Sequence, residues 1–334
     1  MIACLRRRAL ISLLLCAGLP AAVRSAAEEL RWQRIEASSG LADSYQIRLG
    51  GAELQVDFAP GALDLGDAPV LAHIRMAADA VIAYYGRFPV NRARVLVAPA
   101  ADRGGAPQGT TLQGTTWGDM DGFPGFTRLR VGQHITQADL NDDWVTTHEL
   151  VHMGFPSQER EHHWIEEGLA TYVEPLARVK TGELEAKKVW ADMVKGMPQG
   201  EPESGDQGLD RTHTWARTYW GGALFCLVAD VEIRRETGNR KGLEDALRGI
   251  VDAGGTIDQE WPIEKAFEAG DRATGTHVLT TMYAAWKDAP VTVDLDKLWS
   301  ELGIRRAGED VEFVPGAPEA AIREAIAGEP AAPR

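Results

Sequence analysis

The chain has 334 residues, of which 44% are hydrophobic and 25% charged, and 49 acidic against 35 basic side chains give a formal net charge of −14 at pH 7. This composition is typical of a globular protein and excludes general disorder, a collagen helix and a coiled-coil array. Nucleic acid is excluded as the main partner, because phosphate backbones require a clustered basic surface and no long run of Lys and Arg follows the N-terminal segment.

The first 26 residues are predicted to be a secretory signal peptide. Arg6, Arg7 and Arg8 precede an apolar stretch from Ala9 to Val23, and small residues follow it near Ala26. The stretch is too short to cross a bilayer comfortably, and the small residues match a signal cleavage site. We therefore expect residues 1–26 to be removed and the protein to be exported, periplasmic or secreted, without stable membrane insertion after cleavage.

The rest of the chain is predicted to form a mixed N-terminal lobe at 27–140, a helical lobe at 141–315 and a flexible tail at 316–334. This length fits one large domain or two lobes. The tail is expected because its sequence is rich in Ala, Pro and Glu. The predicted fold class is α+β, with a small β-rich lobe before a mainly helical one.

A hairpin, a helix and a further strand are predicted before residue 100. Tyr45–Leu49 and Glu53–Phe58 alternate apolar and polar residues on either side of Gly50-Gly51, which indicates a β-hairpin. Apolar residues at helical spacing predict a helix from Pro69 to about Tyr85. The run Arg94–Ala98 predicts a buried strand.

After this strand, a loop-rich stretch and then a mainly helical part are predicted. Gly104–Gly125 is rich in Gly and Thr and contains two prolines, so a loop with one exposed strand is expected there. From Asp143 onward the apolar residues follow a helical period. Helices are expected to begin near Asp143, Trp164, Thr214 and Lys241.

The most informative stretch is His148-Glu149-Leu150-Val151-His152. Histidines four residues apart on a helix share one face, with Cβ atoms about 5–6 Å apart, so both imidazoles can reach one metal ion. Glu149 is rotated by about 100° around the helix axis, which places it beside the metal, where it can take a proton from a water molecule. Asp142 or Asp143 is a credible N-cap for this helix.

A catalytic zinc site needs a third protein ligand and an open fourth position. In the helix predicted from Trp164, the apolar residues form a stripe along one face. Periodicity places Glu167 away from this stripe and Glu166 beside it. Small residues near Glu167, Gly168 and Thr171, would let this helix approach a second helix closely. This favours Glu167 facing the histidine helix, although periodicity alone does not decide. The candidates after His152 are Glu159, Glu161, His162, His163, Glu166, Glu167 and Glu174. His162 and His163 are expected in a loop or at the rim of the site.

The histidine motif, followed by Trp164-Ile165-Glu166-Glu167-Gly168-Leu169-Ala170, resembles the gluzincin metallopeptidases. In those enzymes a second helix supplies a glutamate directly before a glycine. The resemblance implies a thermolysin-like zinc peptidase core that holds one Zn²⁺ per chain on His148, His152 and Glu167. It also implies that Glu149 is the general base.

A second resemblance covers Tyr219–Gly238 and Leu243–Leu247, which are similar to the corresponding helix of the M61 (glycyl aminopeptidase) family. Related M1 aminopeptidases share the tyrosine. In both families a Tyr-x-Lys-Gly motif supplies a hydroxyl that stabilises the oxyanion of the tetrahedral intermediate, and the resemblance implies this role for Tyr219. The chain departs from the motif at Gly221, where the family has lysine, and no PDZ module is expected.

The segment Gly114-Thr115-Thr116-Trp117-Gly118 is the candidate for the substrate-binding edge strand of such a peptidase. The resemblance implies substrate contacts from Gly114, Thr115 and Thr116. The Gly-x-Met-Glu-Asn motif with which M1 enzymes bind a substrate amino terminus is missing before His148. The resemblance therefore leaves aminopeptidase and endopeptidase activity both open.

Together these observations predict an exported zinc metallopeptidase that hydrolyses peptide or protein substrates with a metal-activated water. The alternative function is binding without catalysis, by an inactive, peptidase-like protein that binds a peptide or zinc. Glu149 speaks against this alternative, because a purely structural zinc site has no use for a general base.

Overall fold

The computed structural model describes residues 31–100 and 112–328, so the expected signal peptide lies outside the described residues. The N-terminal part contains a six-stranded sheet in the order β1-β2-β3-β4-β6-β5. β3 pairs in parallel with β4, and β4 with β6, whereas the other neighbours are antiparallel. The strands are β1 Gln33–Ile35, β2 Asp43–Leu49, β3 Ala52–Phe58, β4 Arg92–Ala100, β5 Leu112–Met120 and β6 Phe123–Gly132.

The predicted hairpin is present as β2 and β3, joined by Gly50 and Gly51. Both glycines have positive φ, 56° and 82°, as a two-residue hairpin turn requires. Gly50 is also needed for packing, because a Cβ there would lie 2.6 Å from Ile82 of the helix above the sheet. The turn thus fixes the register of the two strands and lets the helix lie close to them.

The predicted helix is α1, Asp67–Tyr85, which ends at Gly86 in the left-handed conformation. Its buried face includes Ile74, Val81 and Tyr84. One side of α1 packs on the sheet, and the other contacts four helices of the C-terminal part. This helix therefore connects the sheet with the helices described next.

The exposed strand expected within Gly104–Gly125 is present as β5, whereas Phe123–Gly125, expected to be loop, already belongs to β6; residues 104–111 lie outside the described residues. β5 and β6 pair along almost their whole length and are joined by a tight turn at Asp121 and Gly122, both with positive φ. Cross-strand pairing and the buried side chains of β6 stabilise β5, although it is rich in Gly and Thr. β5 is the edge strand of the sheet, as expected for the candidate substrate strand.

The part after residue 132 is mainly helical and also contains a short hairpin. The predicted helix starts near Asp143, Trp164 and Lys241 are confirmed within three residues. Near Thr214 a π-helical turn, Arg217–Gly221, precedes the α-helix. The helices are α2 Gln137–Asp142, α3 Val145–Val151, α4 His163–Thr181, α5 Ala186–Gly196, α6 Gly222–Thr237, α7 Leu243–Asp252, α8 Ile263–Thr274, α9 Val278–Trp286, α10 Leu295–Leu302 and α11 Ala320–Ala327. The hairpin consists of β7 Ile304–Ala307 and β8 Asp310–Phe313.

The flexible tail expected from residue 316 is corrected for its described part, because 320–327 forms α11. Ile322 and Ile326 are buried against the rest of the helical part. Arg323 donates hydrogen bonds to the backbone carbonyls of Leu302 and Gly303 at 3.2 and 3.1 Å. Tertiary packing thus orders a segment whose composition suggests a frayed end.

One continuous hydrophobic core joins the sheet and the helices. The architecture is therefore a mixed α and β fold with an N-terminal sheet followed by a helical part. Across 31–100 and 112–328, no helix combines the length and the apolar character needed to cross a membrane.

Candidate metal centre and active site

Helix α3 carries His148, and His152 directly follows its last residue, at the start of a 3₁₀ turn, His152–Gly154. A buried network fixes the N-terminus of α3. Trp144 is the N-cap residue of this helix, and the carboxylate of Asp143, one of the two residues expected to cap it, accepts hydrogen bonds from the backbone N–H groups of Val145 and Thr146 at 2.9 and 3.1 Å. The same carboxylate lies 2.7 Å from His73 Nε2 on α1. Because all of these groups are largely buried, the first turn of α3 is anchored to α1.

Glu167 of α4 meets both histidines. Its Oε2 lies 3.1 Å from His148 Nε2 and 3.8 Å from His152 Nε2. One ligand atom from each of the three residues lies within 4.8 Å of the others. Two ligands on a tetrahedral zinc ion with bonds of about 2.0–2.1 Å lie about 3.3 Å apart, so this donor set fits such an ion.

The alternative third ligand, Glu166, points elsewhere. Its carboxylate accepts a hydrogen bond from Gln158 N at 3.2 Å and lies 3.0 Å from His163 Nδ1. Glu174, another candidate, pairs with Arg178 at 2.8 Å in the core. The structure therefore brings Glu167, and neither Glu166 nor Glu174, to the two histidines.

His163 is the first residue of α4 and supports Glu167. Its Nε2 lies 3.2 Å from Glu167 Oε1, the oxygen of that carboxylate that faces away from His148. His163 was expected in a loop or at the rim of the site, and its exposed ring lies at the edge of the cleft. Its contact could have been inferred from the i,i+4 spacing of His163 and Glu167 on one helix.

Gly168, the small residue next to Glu167, lets α4 approach α6 instead of the histidine helix α3. A Cβ on Gly168 would lie 2.4 Å from Gly222 Cα, so α4 crosses the start of α6 at backbone contact. Gly168 was expected to allow close approach to the histidine helix. Instead, its hydrogen side chain lets the turn that carries Tyr219 approach Glu167.

Tyr219 lies within the π-helical turn and stacks between two rings. Its ring is 6.3 Å from His148, with an interplanar angle of 17°, and 5.4 Å from Trp215, with an angle of 24°. Arg217 holds the turn in place, because it is buried, donates to Gly200 O and pairs with Asp206. Single π turns within helices are frequent at functional sites.

Edge strand β5 forms one wall of a cleft of about 700 Å³, and α3 and α4 contribute to the other. Thr115 is exposed on this strand, whereas Gly114 and Thr116 face the helical part. The Thr116 hydroxyl donates a hydrogen bond to Glu149 Oε2 at 2.7 Å. All three residues expected to contact substrate line the cleft, but the side chain of Thr116 is directed at Glu149.

Exposed tryptophans surround the cleft. Trp117 and Trp144 line it with 36% and 49% of their surface exposed, and Trp215, which stacks on Tyr219, is 62% exposed. Single exposed apolar side chains are common on protein surfaces, whereas grouped ones mark binding surfaces. The sequence places Trp117 in the candidate edge strand but does not group it with Trp144 and Trp215, since only the fold brings the three together.

The local electrostatics favour the ionisation states of metal ligands. Burial and the neighbouring His148 lower the pKa of His152 to about 3, so its imidazole is neutral at pH 7. Burial alone would raise the pKa of Glu167, but hydrogen bonds from His148 and His163 hold it well below its usual range. A neutral imidazole and an ionised carboxylate are the forms that bind zinc.

Two further groups in the cleft have shifted pKa values. Burial raises the pKa of Glu149, although Thr116 and His148 oppose this effect. Burial and the Glu167 carboxylate raise the pKa of the Tyr219 hydroxyl to about 12, so this hydroxyl keeps its proton at pH 7. The cleft therefore contains a carboxylate that can accept a proton and a phenol that can donate a hydrogen bond.

Comparison with solved structures shows a related fold. An aminopeptidase N family protein from Idiomarina loihiensis superposes with a TM-score of 0.56 at 13% identity, covering 78% of this chain and 49% of that one. An M1 zinc metallopeptidase from Deinococcus radiodurans gives a TM-score of 0.45 at 16% identity, covering 79% and 53%. The chain thus spans about half the length of these proteins. No protein-family model matches the sequence, and neither does any curated protein. At 13% identity, the similarity to the Idiomarina loihiensis protein shows a shared fold.

Proposed function

We propose that this protein is an exported zinc metallopeptidase of the gluzincin type, with a thermolysin-like catalytic core. The observation that carries the proposal is the convergence of His148, His152 and Glu167 in a cleft that also contains the Glu149 carboxylate. Three protein ligands leave a fourth position free, which is the arrangement of catalytic rather than structural zinc sites. The shared fold with an aminopeptidase N family protein supports this assignment.

One Zn²⁺ per chain would be held by His148, His152 and Glu167. When bound, zinc supplies a Lewis acid that polarises the scissile carbonyl and makes water acidic enough to act as a nucleophile near neutral pH. His163 keeps the second oxygen of Glu167 in place. Such support of a ligating carboxylate by a neighbouring side chain strengthens metal binding.

Glu149 is the proposed general base. It lies in the cleft next to the first histidine of the metal set and is 8% exposed. In the proposed reaction its carboxylate accepts the proton of the attacking water and then donates it to the leaving amine. Burial shifts the pKa of Glu149 toward neutral pH. A group whose pKa lies nearer the working pH both accepts and releases a proton more effectively.

Tyr219 is the proposed oxyanion donor. Its hydroxyl keeps its proton at neutral pH, and its ring is fixed between His148 and Trp215. A preorganised donor at the developing oxyanion contributes about 2.7–4 kcal/mol to transition-state stabilisation in comparable sites. The departure from the M61 motif at Gly221 lies two residues further along the same turn, where a Cβ would approach Arg217 to 3.2 Å.

The proposed substrate is a peptide or protein segment in extended conformation. Among the strands of the described residues, β5 has a partner on one side only, and a substrate can add to its other side through backbone hydrogen bonds. Trp117 and Trp144 provide apolar surface beside the metal centre, so we expect preference for large apolar side chains near the cleaved bond. The acids among the described cleft residues are Glu149, Glu167 and Glu166. Glu149 and Glu167 have roles in the proposed mechanism, and the Glu166 carboxylate is hydrogen-bonded to Gln158 and His163.

The proposal is tested by incubating the purified protein, loaded with zinc, with a diverse peptide library and sequencing the products. We expect cleavage that stops when a chelator removes the metal and returns when zinc is restored. A protein that binds one zinc ion and cleaves no peptide would instead be the inactive, peptide- or zinc-binding alternative. Export is tested separately by sequencing the amino terminus of protein recovered from outside the cytoplasm.

A further inference from the structure

Strand β5 holds the side chain of Glu149 in a defined position. Thr116 Oγ1 is 2.7 Å from Glu149 Oε2 and 3.1 Å from the backbone oxygen of the same residue. The hydroxyl proton goes to the carboxylate, which is the better acceptor and the closer one. A residue of the sheet therefore fixes the orientation of a side chain that belongs to helix α3.

Gly114 provides the space that Glu149 occupies. A Cβ at position 114 would lie 2.2 Å from Glu149 Cγ and 2.7 Å from its Cδ and Oε1. Gly114 and Thr116 are two residues apart on a strand and so face the same side of the sheet. Any larger residue at 114 would push the carboxylate out of contact with Thr116.

Thr127 completes the arrangement from the neighbouring strand. It lies opposite Thr116 in the β5–β6 register, with the two Oγ1 atoms 2.9 Å apart, and it is fully buried. Each hydroxyl has one proton, so Thr116 donates to Glu149 and accepts from Thr127. Hydrogen bonds in such a chain polarise and strengthen one another.

We propose that Gly114, Thr116 and Thr127 are positioning residues that fix the Glu149 carboxylate for proton transfer. This inference rests on the proposed role of Glu149 as general base. It changes the expected role of Gly114 and Thr116 from contacts with substrate to support of Glu149. A general base must lie within hydrogen-bond reach of its proton, and a displacement of about 1 Å costs up to 10²-fold in rate.

The kinetic test compares substitutions that keep size with substitutions that keep the hydroxyl. Thr116→Val should lower kcat about 10- to 100-fold with little change in KM, because substrate binding is intact while the base is misplaced. Thr116→Ser should recover most of this loss, and Thr127→Val should lower kcat less than Thr116→Val does. The proposal is overturned if Thr116→Ser loses as much turnover as Thr116→Val, or if Thr116→Val raises KM alone.

A second measurement needs no turnover. Thermal unfolding midpoints are compared for the full chain, Thr116→Val, Glu149→Ala and the double variant. If the hydrogen bond exists, Thr116→Val lowers the midpoint by about 2–6 °C more when Glu149 is present than when it is absent. Equal losses in both backgrounds overturn the positioning role even if the wild-type protein is an active peptidase. Unequal losses in a protein that cleaves nothing would show that the contact exists and that the proposed function is wrong.

Discussion

Gly168 of α4 and Gly222 of α6 pack with their backbones in contact. A Cβ at Gly222 would lie 2.1 Å from Trp164 O and 2.7 Å from Gly168 Cα. This contact sets the distance between the helix that carries Glu167 and the turn that carries Tyr219. The metal ligand and the proposed oxyanion donor are therefore placed by the same pair of glycines.

Gly168→Ala should both destabilise the protein and displace Tyr219. Forcing a methyl group into this contact costs about 1–3 kcal/mol and separates the two helices. We expect a lower thermal midpoint together with a loss of turnover, measured by calorimetry and by peptide hydrolysis. Gly316→Ala is the matched control, because a Cβ there has no neighbour within 4 Å among the described residues. Equal effects of the two substitutions would contradict the close crossing.

The metal ligands are tested by zinc analysis of single variants. The purified protein should contain about one equivalent of zinc, and His148→Ala or Glu167→Ala should lose it because two remaining ligands bind the ion weakly. Glu166→Ala is the control, since its carboxylate is directed to Gln158 and His163. Full zinc content in Glu167→Ala would assign the third ligand to another residue.

Local sequence patterns predicted the elements that depend on local interactions. The turn at Gly50-Gly51, the helical spacing that ends at Tyr85 and the histidine pair at i and i+4 each carry their information within a few residues. The structure places these elements where they were expected. Asp143, whose carboxylate accepts hydrogen bonds at the start of the histidine helix, was one of the two capping residues predicted for the same reason.

The features that were missed depend on partners elsewhere in the chain. One exposed strand was expected where β5 lies, but the start of β6 at Phe123 was expected to be loop, and pairing with both β4 and β5 makes it a strand. Helix α11 is ordered by contacts with residues near 302 and 303, which the composition of the tail does not reveal. Periodicity placed Gly168 beside Glu167 but could not identify Gly222, 54 positions later, as its partner.

Glu149→Gln tests the general base. The amide keeps the size of the side chain and its hydrogen bond from Thr116 but does not accept a proton. We expect zinc content and thermal stability close to wild type, with turnover lower by at least about 10²-fold, the low end for lost acid–base catalysis. Turnover near the wild-type value at matched zinc content would refute this role of Glu149.

Tyr219→Phe tests the oxyanion donor. The substitution removes one hydroxyl and leaves the ring stacked between His148 and Trp215, so stability should barely change. A donor used only in the transition state lowers kcat and kcat/KM equally and leaves KM nearly fixed. We expect a loss of about 10²-fold or more in both constants from steady-state kinetics. A rise in KM alone would mean that the hydroxyl binds substrate in the ground state.

The last prediction concerns the end of the peptide that the cleft accepts. An aminopeptidase needs an acid that binds the substrate ammonium group, and no glutamate or aspartate occurs in Gly114–Gly118. Among the described cleft residues, Glu149 and Glu167 have roles in the proposed mechanism and Glu166 is hydrogen-bonded. We therefore expect one peptide to be cleaved at similar rates with its amino terminus free or acetylated, measured side by side by chromatography. Complete loss of cleavage on acetylation would show that another acid binds the amino terminus. Asp119 in β5 and Asp121 in the turn after it would then be the first residues to mutate.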